Sequence, residues 1–263
     1  RGHRARRPRP PPARLMTRDA PASGPSAGHA VGQANAEPAM TDDYDALSRL
    51  LHDRHSCRGF LPDPLPRAVI ERIVAAAGRV PSWCNAQPWQ VTVTAPPQTA
   101  RLSAALMRAV DSGAPTPDLP WPERYTGVYQ DRRRTCGFQL YEAVGIARDD
   151  RAARRAQMLE NYRFFGAPHV AIVSSEADLG AYGAMDTGGF VAAFTLAAQA
   201  LGVASIPQAA IAAYAPTLRA ELDLPAHRLI LCGISFGHAD PDHPANAFRT
   251  DRAPLDQVID WRD

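Results

Sequence analysis

The feature that most constrains the fold of this chain is the stretch AMDTGGFVAAFTLAAQAL at 184–201, which is apolar on nearly every side. Its composition predicts a helix, and Gly202 directly after it predicts where that helix ends. Because such a helix has no polar face to turn toward water, it must be covered on most sides. We therefore expect it to lie in a core or against another subunit.

The rest of the chain predicts more helices than strands. Helical spacing of apolar residues occurs in five further stretches, at 42–51, 67–80, 101–111, about 131–160 and 215–223. Apolar or alternating runs predict three strands, QVTVTA at 90–95, HVAIVSS at 169–175 and RLILCGISFG at 228–237. Since single helices do not separate these strands regularly, we expect an α+β fold and not a doubly wound sheet.

Residues 1–40 differ in charge from the remainder. Seven arginines against two acidic residues give this arm a charge of +5, which leaves −3 of the total of +2 for residues 41–263. We expect 1–40 to be a disordered basic arm outside the fold, and 41–263 to form one domain. Because the excess positive charge belongs to the arm, it does not indicate nucleic-acid binding by the folded part.

All 29 basic residues are arginines, so lysine Schiff-base chemistry is excluded and arginine is left to bind any anion. The four cysteines (57, 84, 136 and 232) are scattered and form no C-x-x-C pair, which predicts a reduced, cytoplasmic protein. No apolar run is long enough to span a membrane, and we expect no membrane partner.

Three patterns could carry chemistry but are incomplete. The segment GISFG at 233–237 resembles the nucleophile elbow of serine hydrolases, but the following HADPDHP cannot form the helix that this motif requires. Cys84 lacks a recognisable nucleophile signature, and we interpret it as a small, half-buried residue. The segment 238–243 has metal-ligating residue types without a second cluster, so we expect no metal site.

Two arginine-bearing segments are more informative. Arg54-His-Ser56-Cys-Arg58 places guanidinium groups on both sides of a hydroxyl, which suits a phosphate monoester. Arg249-Thr-Asp-Arg252 repeats this pattern near the other end of the chain, and the two segments could close on one phosphate. No G-x-G-x-x-G or Walker loop is present, which argues against a dinucleotide fold or a nucleotide kinase.

The order R-H-S-x-R at 54–58, then P-S-x-x-N-x-Q-P-W at 81–89, resembles the nitroreductase-like family of FMN-dependent oxidoreductases. The likeness covers about 41–263, and the segment 112–165 is similar to the nitrobenzoate-reductase-like branch. It implies an α+β homodimer with a central, mostly antiparallel sheet flanked by helices. Each of two FMN sites would then be lined by both subunits.

The resemblance also implies roles for individual residues. Arg54, Ser56 and either Arg249 or Arg252 would hold the FMN phosphate, and Arg58 would lie near the pyrimidine end of the ring. The remaining cofactor-binding residues would be Pro81, Ser82, Asn85, Gln87, Pro207 and Gln208, with Asn85 reaching across the dimer interface. Trp83 stands where family members often carry a small residue.

The implied activity is a two-step exchange, in which NAD(P)H delivers a hydride and a nitroaromatic or quinone-like acceptor removes the electrons. The flavin carries the chemistry, so no side chain need act as acid, base or nucleophile. Aromatic residues could shape the acceptor pocket or simply pack, namely Trp121, Tyr125, Tyr129, Phe138, Tyr141 and Phe164. Two alternatives stay open, a flavin-binding or sensing protein with little turnover and a hydrolase acting through Cys84 or Ser235.

Overall fold

Four antiparallel strands form one sheet at the centre of the computed structural model, which describes residues 41–262. The strands are β1 (Gln90–Val93), β2 (His169–Glu176), β3 (Ala204–Gln208) and β4 (Arg228–Gly237), and they lie in the order β1-β2-β4-β3. The predicted α+β class and antiparallel sheet are thus confirmed. The arm predicted at 1–40 lies outside the described residues.

Seven α-helices surround the sheet in the described part of the chain. They are α1 (Asp42–Asp53), α2 (Arg67–Ala77), α3 (Pro96–Ser112), α4 (Gly127–Ala143), α5 (Arg151–Leu159), α6 (Gly180–Ala200) and α7 (Ala215–Leu222). None of these helices is both long and apolar enough to cross a membrane. The helical stretch predicted over about 131–160 forms two helices and not one continuous element, because the chain turns between α4 and α5, where Gly145 adopts a φ of 69°.

The buried strand β2 separates two hydrophobic clusters. Val170 and Ile172 point to one face of the sheet, where residues of α3 and α7 cover them. Ala171 and Val173 point to the opposite face, where residues of α2 and α6 pack. Because successive side chains of a strand point to opposite faces, a strand covered on both sides is apolar throughout, as HVAIV is.

Helix α6 is covered on one face only. Its buried positions include Phe190 and Phe194, which pack beside Phe236 of the sheet. Its opposite face is exposed and carries Met185, Gly188, Gly189 and Ala192. The predicted helix is therefore present, beginning at Gly180 and not at 184, but within the described chain half of it has no cover.

His169, at the start of β2, is a structural residue. Its Nδ1 lies 2.9 Å from the carbonyl oxygen of Thr94, and its Nε2 accepts from the Leu65 N–H at 2.9 Å. The ring also stacks on Phe236. Both nitrogens are thus engaged with backbone groups, which removes this histidine from the candidates for a catalytic base.

Candidate functional site

The two arginine-bearing segments from opposite ends of the chain line one cleft of about 740 Å³. We call it the arginine cleft. One wall is the end of α1 with the segment 54–58, and the other is the C-terminal segment 248–252. Cys136 of α4 and Gln199 of α6 complete the lining. The structure therefore brings together Arg54, Ser56, Arg249 and Arg252, which were predicted near the FMN phosphate, with Arg58, which was predicted near the pyrimidine end of the ring.

The first wall is an extension of the sheet. Ser56 forms a parallel bridge with Ser205, and the Cys57 N–H donates to the Ser205 carbonyl at 3.2 Å. Since β3 pairs only with β4, its other edge is free to hold this segment. The segment is fixed again where the Phe60 N–H donates to the Phe165 carbonyl at 3.3 Å. These bonds give the first two arginines a rigid backbone.

The cleft carries an excess of positive charge, because four arginines line it against the two carboxylates of Asp53 and Asp251. None of Arg54, Arg58, Arg249 and Arg252 lies within ion-pair distance of a carboxylate among residues 41–262. Burial lowers the pKa of Arg54, and the nearby charge of Arg252 lowers it further. Burial also lowers the pKa of Arg58. Such a group of cations suits a multiply charged anion that forms charge-assisted hydrogen bonds.

A buried nitrogen in the same cleft has no partner. The Nδ1 of His55 lies 3.2 Å from the Asp53 carbonyl, while its Nε2 is buried without a hydrogen bond in the described chain. Burial is the main reason that the pKa of His55 is lowered, and Arg249, Arg54 and Arg58 lower it further. The residues present therefore fit a phosphate, whose oxygens could accept from Arg54 and Ser56 and whose negative charge would favour the protonated His55 that a hydrogen bond from Nε2 requires.

The lowered pKa of His55 predicts a pH-dependent stability. The ordinary value is 6.5, so acidification through this value protonates the unfolded chain before the folded one. The contribution of His55 to the free energy of unfolding is complete above the pKa of the unfolded chain, and it is lost as the pH falls through the lowered pKa of the folded protein. We expect urea unfolding to show a smaller loss of stability between pH 7.5 and 5.5 for His55→Gln than for the parent protein.

His238→Gln, at an exposed histidine that does not line the arginine cleft, is the matched control for the loss of a histidine side chain. An equal loss of stability in the parent protein and in His55→Gln would show that His55 does not titrate in this range.

The loop 81–89 lies apart from the arginine cleft within one chain. A second, open cleft of about 380 Å³ is lined by Pro81, Ser82 and Trp83 and, from α6, by Tyr182, Met185 and Asp186. The Trp83 ring contacts the Tyr182 ring edge to face, with the ring centroids 4.2 Å apart. The backbone N–H of Trp83 donates to the Asp186 carboxylate at 3.0 Å. Trp83 therefore joins the loop to the start of α6.

The same loop has an unusual backbone. Cys84, Asn85 and Gln87 have φ values of 52°, 56° and 48°, a left-handed conformation that non-glycine residues rarely adopt. The Ser82 hydroxyl accepts from the Gln87 N–H at 2.9 Å and helps to maintain this turn. Strained turns of this kind cluster at functional sites. Asn85 and Gln87 are exposed here, so their predicted contact with a flavin across a dimer interface stays a prediction.

The Pro207-Gln208 pair lies in the edge strand β3, with the glutamine side chain already engaged. Its Nε2 donates to the Asn161 carbonyl at 3.0 Å, and its Oε1 accepts from the Ser235 hydroxyl. The Gln208 side chain is thus occupied, and the predicted contact of the backbone of this pair with a flavin ring stays a prediction.

The described chain does not support the two hydrolase alternatives, through Ser235 or through Cys84. Ser235 is fully buried inside β4, and the strand is followed by an irregular segment without a helix, so the nucleophile elbow is absent. Cys84 is exposed and not half-buried as expected, because the left-handed turn points it away from the core. Among residues 41–262 no cluster of histidine, cysteine and acidic residues could hold a metal.

The six predicted pocket aromatics do not share one environment. Trp121, Tyr125, Tyr129 and Phe138 are exposed, and Tyr141 is half-buried. Phe164 is fully buried in the core, which favours the packing role that the sequence left open for it. None of the six lines the arginine cleft in the described chain.

Comparison with known proteins identifies the family. Residues 51–238 match the model of the nitroreductase family. The chain belongs to this family. It is 40% identical over 218 residues to nitroreductase NfnB of Mycolicibacterium smegmatis, covering 82% of this chain and 93% of the relative. It is 32% identical over 213 residues to a 4-nitrobenzoate reductase of Pseudomonas putida, covering 81% and 92%.

Among solved structures, this nitroreductase-family chain is similar to the FMN-dependent nitroreductase NfnB from Mycobacterium smegmatis in complex with NADPH. The TM-score is 0.81 at 38% identity, covering 84% of this chain and all of that one. The family resemblance predicted from the motifs at 54–58 and 81–89 is thus confirmed.

Two residues that hold the site together escaped the sequence reasoning. Asn246 contacts the first wall of the arginine cleft, and Arg228 anchors the loop 81–89 through the Pro88 carbonyl. The position of Asn246 in a proline-rich segment just before Arg249 could have indicated its role. Arg228 had no local signal, since its partners lie in distant segments.

Proposed function

We propose that the protein is an FMN-dependent oxidoreductase that takes a hydride from NADPH or NADH and reduces a nitroaromatic or quinone-like acceptor. The observation that carries the proposal is the arginine cleft, whose four guanidinium groups and unpartnered His55 nitrogen fit a phosphate ester. The names of the relatives, FMN- and NADPH-dependent nitroreductases and nitrobenzoate reductases, support this choice.

The chain's own residues would bind and orient the cofactor. Arg54 and Ser56 would donate to the phosphate from one wall, and Arg249 or Arg252 from the other. Arg58 lines both the arginine cleft and a neighbouring cavity of about 400 Å³, so it would lie beyond the phosphate, toward the ring. FMN, when bound, supplies the acceptance and release of hydride.

A homodimer would complete each site. The exposed stripe of α6 has open space beside Gly188 and Gly189, which allows another helix to approach closely. The loop 81–89 contacts the start of α6, while Gln199 near its end lines the arginine cleft. In a two-fold, antiparallel crossing of two α6 helices, the start of one faces the end of the other. The partner subunit's Asn85 and Gln87 would then approach this cleft.

The four cysteines are all free thiols, and this supports a cytoplasmic location as part of the proposal. The dimer is tested by light scattering of the purified protein, for which a single-chain mass would contradict it.

The activity is tested by the visible spectrum and by anaerobic reduction. The purified protein should show flavin absorption bands, which NADPH should bleach without oxygen and 4-nitrobenzoate should then restore. A protein that keeps its yellow colour after NADPH and NADH would be a flavin-binding protein with little turnover. A colourless protein that takes up no FMN would overturn the proposal.

Replacing Arg54 with alanine is expected to weaken FMN binding about 10- to 150-fold. The phosphate would lose a charge-assisted hydrogen bond worth roughly 1.5–3 kcal/mol. Fluorescence titration of the flavin-free protein measures this change. Arg101→Ala, at an exposed arginine that bonds to Gln98 and does not line the arginine cleft, is the matched control and should bind FMN normally. Equal affinity in both variants would remove Arg54 from the phosphate site.

A further inference from the structure

The side chain of Asn246 joins the two walls of the arginine cleft. Its Oδ1 accepts from the Arg58 N–H at 2.7 Å, and its Nδ2 donates to the Gly59 carbonyl at 2.9 Å. The same Nδ2 donates to the Asp240 carbonyl at 3.0 Å. Three of its four hydrogen-bonding positions are thus used. Rotating the amide by 180° would place Oδ1 against the carbonyl oxygens of Gly59 and Asp240, so these contacts fix its orientation.

The backbone of Asn246 holds the second wall as well. Its carbonyl accepts from the Arg249 guanidinium at 2.8 Å, so this arginine is attached to the residue that also binds Arg58. Asn246 ends the short 3₁₀ turn Pro244–Asn246, whose first free N–H is bonded to the His243 ring at 3.3 Å. One residue therefore sets the positions of arginines that lie far apart in sequence.

Beyond Asn246, and as far as residue 262, the described part of the C-terminal segment has no other hydrogen bond to the first wall. Before Asn246, the two segments run side by side and form an isolated antiparallel bridge between Phe60 and Ala239. From 247 to 252 the hydrogen bonds within the described chain are local, between Arg252 and residues 250–251 or between Arg249 and 246–248. Asn246 is thus the last point at which the second wall is tied to the first.

We infer that Asn246 is a positioning residue that sets the distance between the two arginine walls, and that it thereby determines the preference of the site for a phosphorylated flavin. The inference rests on the proposed function. A phosphate needs donors from both walls at once, whereas the flavin ring does not. Loss of the Asn246 amide should therefore weaken the binding of FMN and spare that of riboflavin, which lacks the phosphate.

The test compares FMN and riboflavin on the full-length protein freed of flavin by dialysis. For Asn246→Ala we expect the ratio of FMN to riboflavin affinity to fall at least about tenfold, with riboflavin affinity changed less than about twofold. Asn246→Leu keeps nearly the same side-chain volume and adds no charge but loses the acceptor and both donors, and it should also lower the ratio. If the alanine variant does not fold, this second variant provides the test.

Gln257→Ala is the control, because this exposed side chain on the same C-terminal segment bonds to Arg132 and not to the cleft. Its ratio should equal that of the parent protein. An unchanged ratio in both Asn246 variants would overturn the inference, as would an equal loss for FMN and riboflavin, which indicates general damage. A parent protein that binds neither flavin would instead refute the proposed function itself.

Discussion

Gly59→Ala is expected to weaken FMN binding more than about tenfold and to lower the free energy of unfolding by about 1–3 kcal/mol. A Cβ at this position would lie 2.2 Å from Cγ and 2.4 Å from Cβ of His243. These atoms adjoin the backbone of His243 and cannot swing away as the end of a long side chain could. The substitution must therefore displace the turn that carries Asn246, and Arg249 with it.

Urea unfolding and FMN titration measure the two effects. Gly113→Ala is the matched control, since Gly113 has an extended backbone and no atom within 4 Å of a built Cβ. Normal FMN affinity in Gly59→Ala would mean that the C-terminal wall shifts but still binds the phosphate. The packing of Gly59 against His243 would then have no part in the site.

Arg228→Met should destabilise the protein by about 3–5 kcal/mol, because it removes a buried charged donor with several partners. The guanidinium donates to the carbonyls of Pro88 at 2.7 Å and Ser174 at 2.9 Å, and it lies 3.5 Å from Glu176. Both carbonyls would lose a charged donor in a buried environment. Since Pro88 ends the loop that carries Asn85 and Gln87, flavin binding should weaken as well.

The control for this prediction is Arg67→Met, which removes an exposed arginine that pairs with Glu71 one turn along α2. Such a surface pair contributes little, so its stability should change by less than about 1 kcal/mol. If Arg228→Met unfolds at the same urea concentration as Arg67→Met, the buried network does not stabilise the loop. Intact stability with lost flavin binding would point to a local role at the loop alone.

Much of the fold was predictable because its signals are local. The apolar runs of β2 and β4 and the helical spacing in α2 and α7 follow from the periodicity of each element. Prediction did not separate the two helices within about 131–160, where a polar composition concealed the turn at Gly145. It also missed the left-handed turn at Cys84, since three non-glycine residues with positive φ have no signature in composition.

The candidate site divides in the same way. Arg54, Ser56, Arg58, Arg249 and Arg252, which line one cleft, were predicted because phosphate requires cations and hydroxyls, which are visible as residue types. Asn246, Arg228 and Gly59 were not found, because each acts through a partner that is remote in the sequence. The chemistry of a neutral amide or a glycine is too common to indicate a role before its partner is known.

From the sequence alone come the residue types at each end of the chain, the periodicity of the elements and the family to which they belong. The tertiary structure alone shows that the two arginine segments share one cleft and that Asn246 ties them together. It also shows that the loop 81–89 lies at the other end of α6. The reason is physical: local patterns encode elements, while contacts between distant segments depend on how those elements pack.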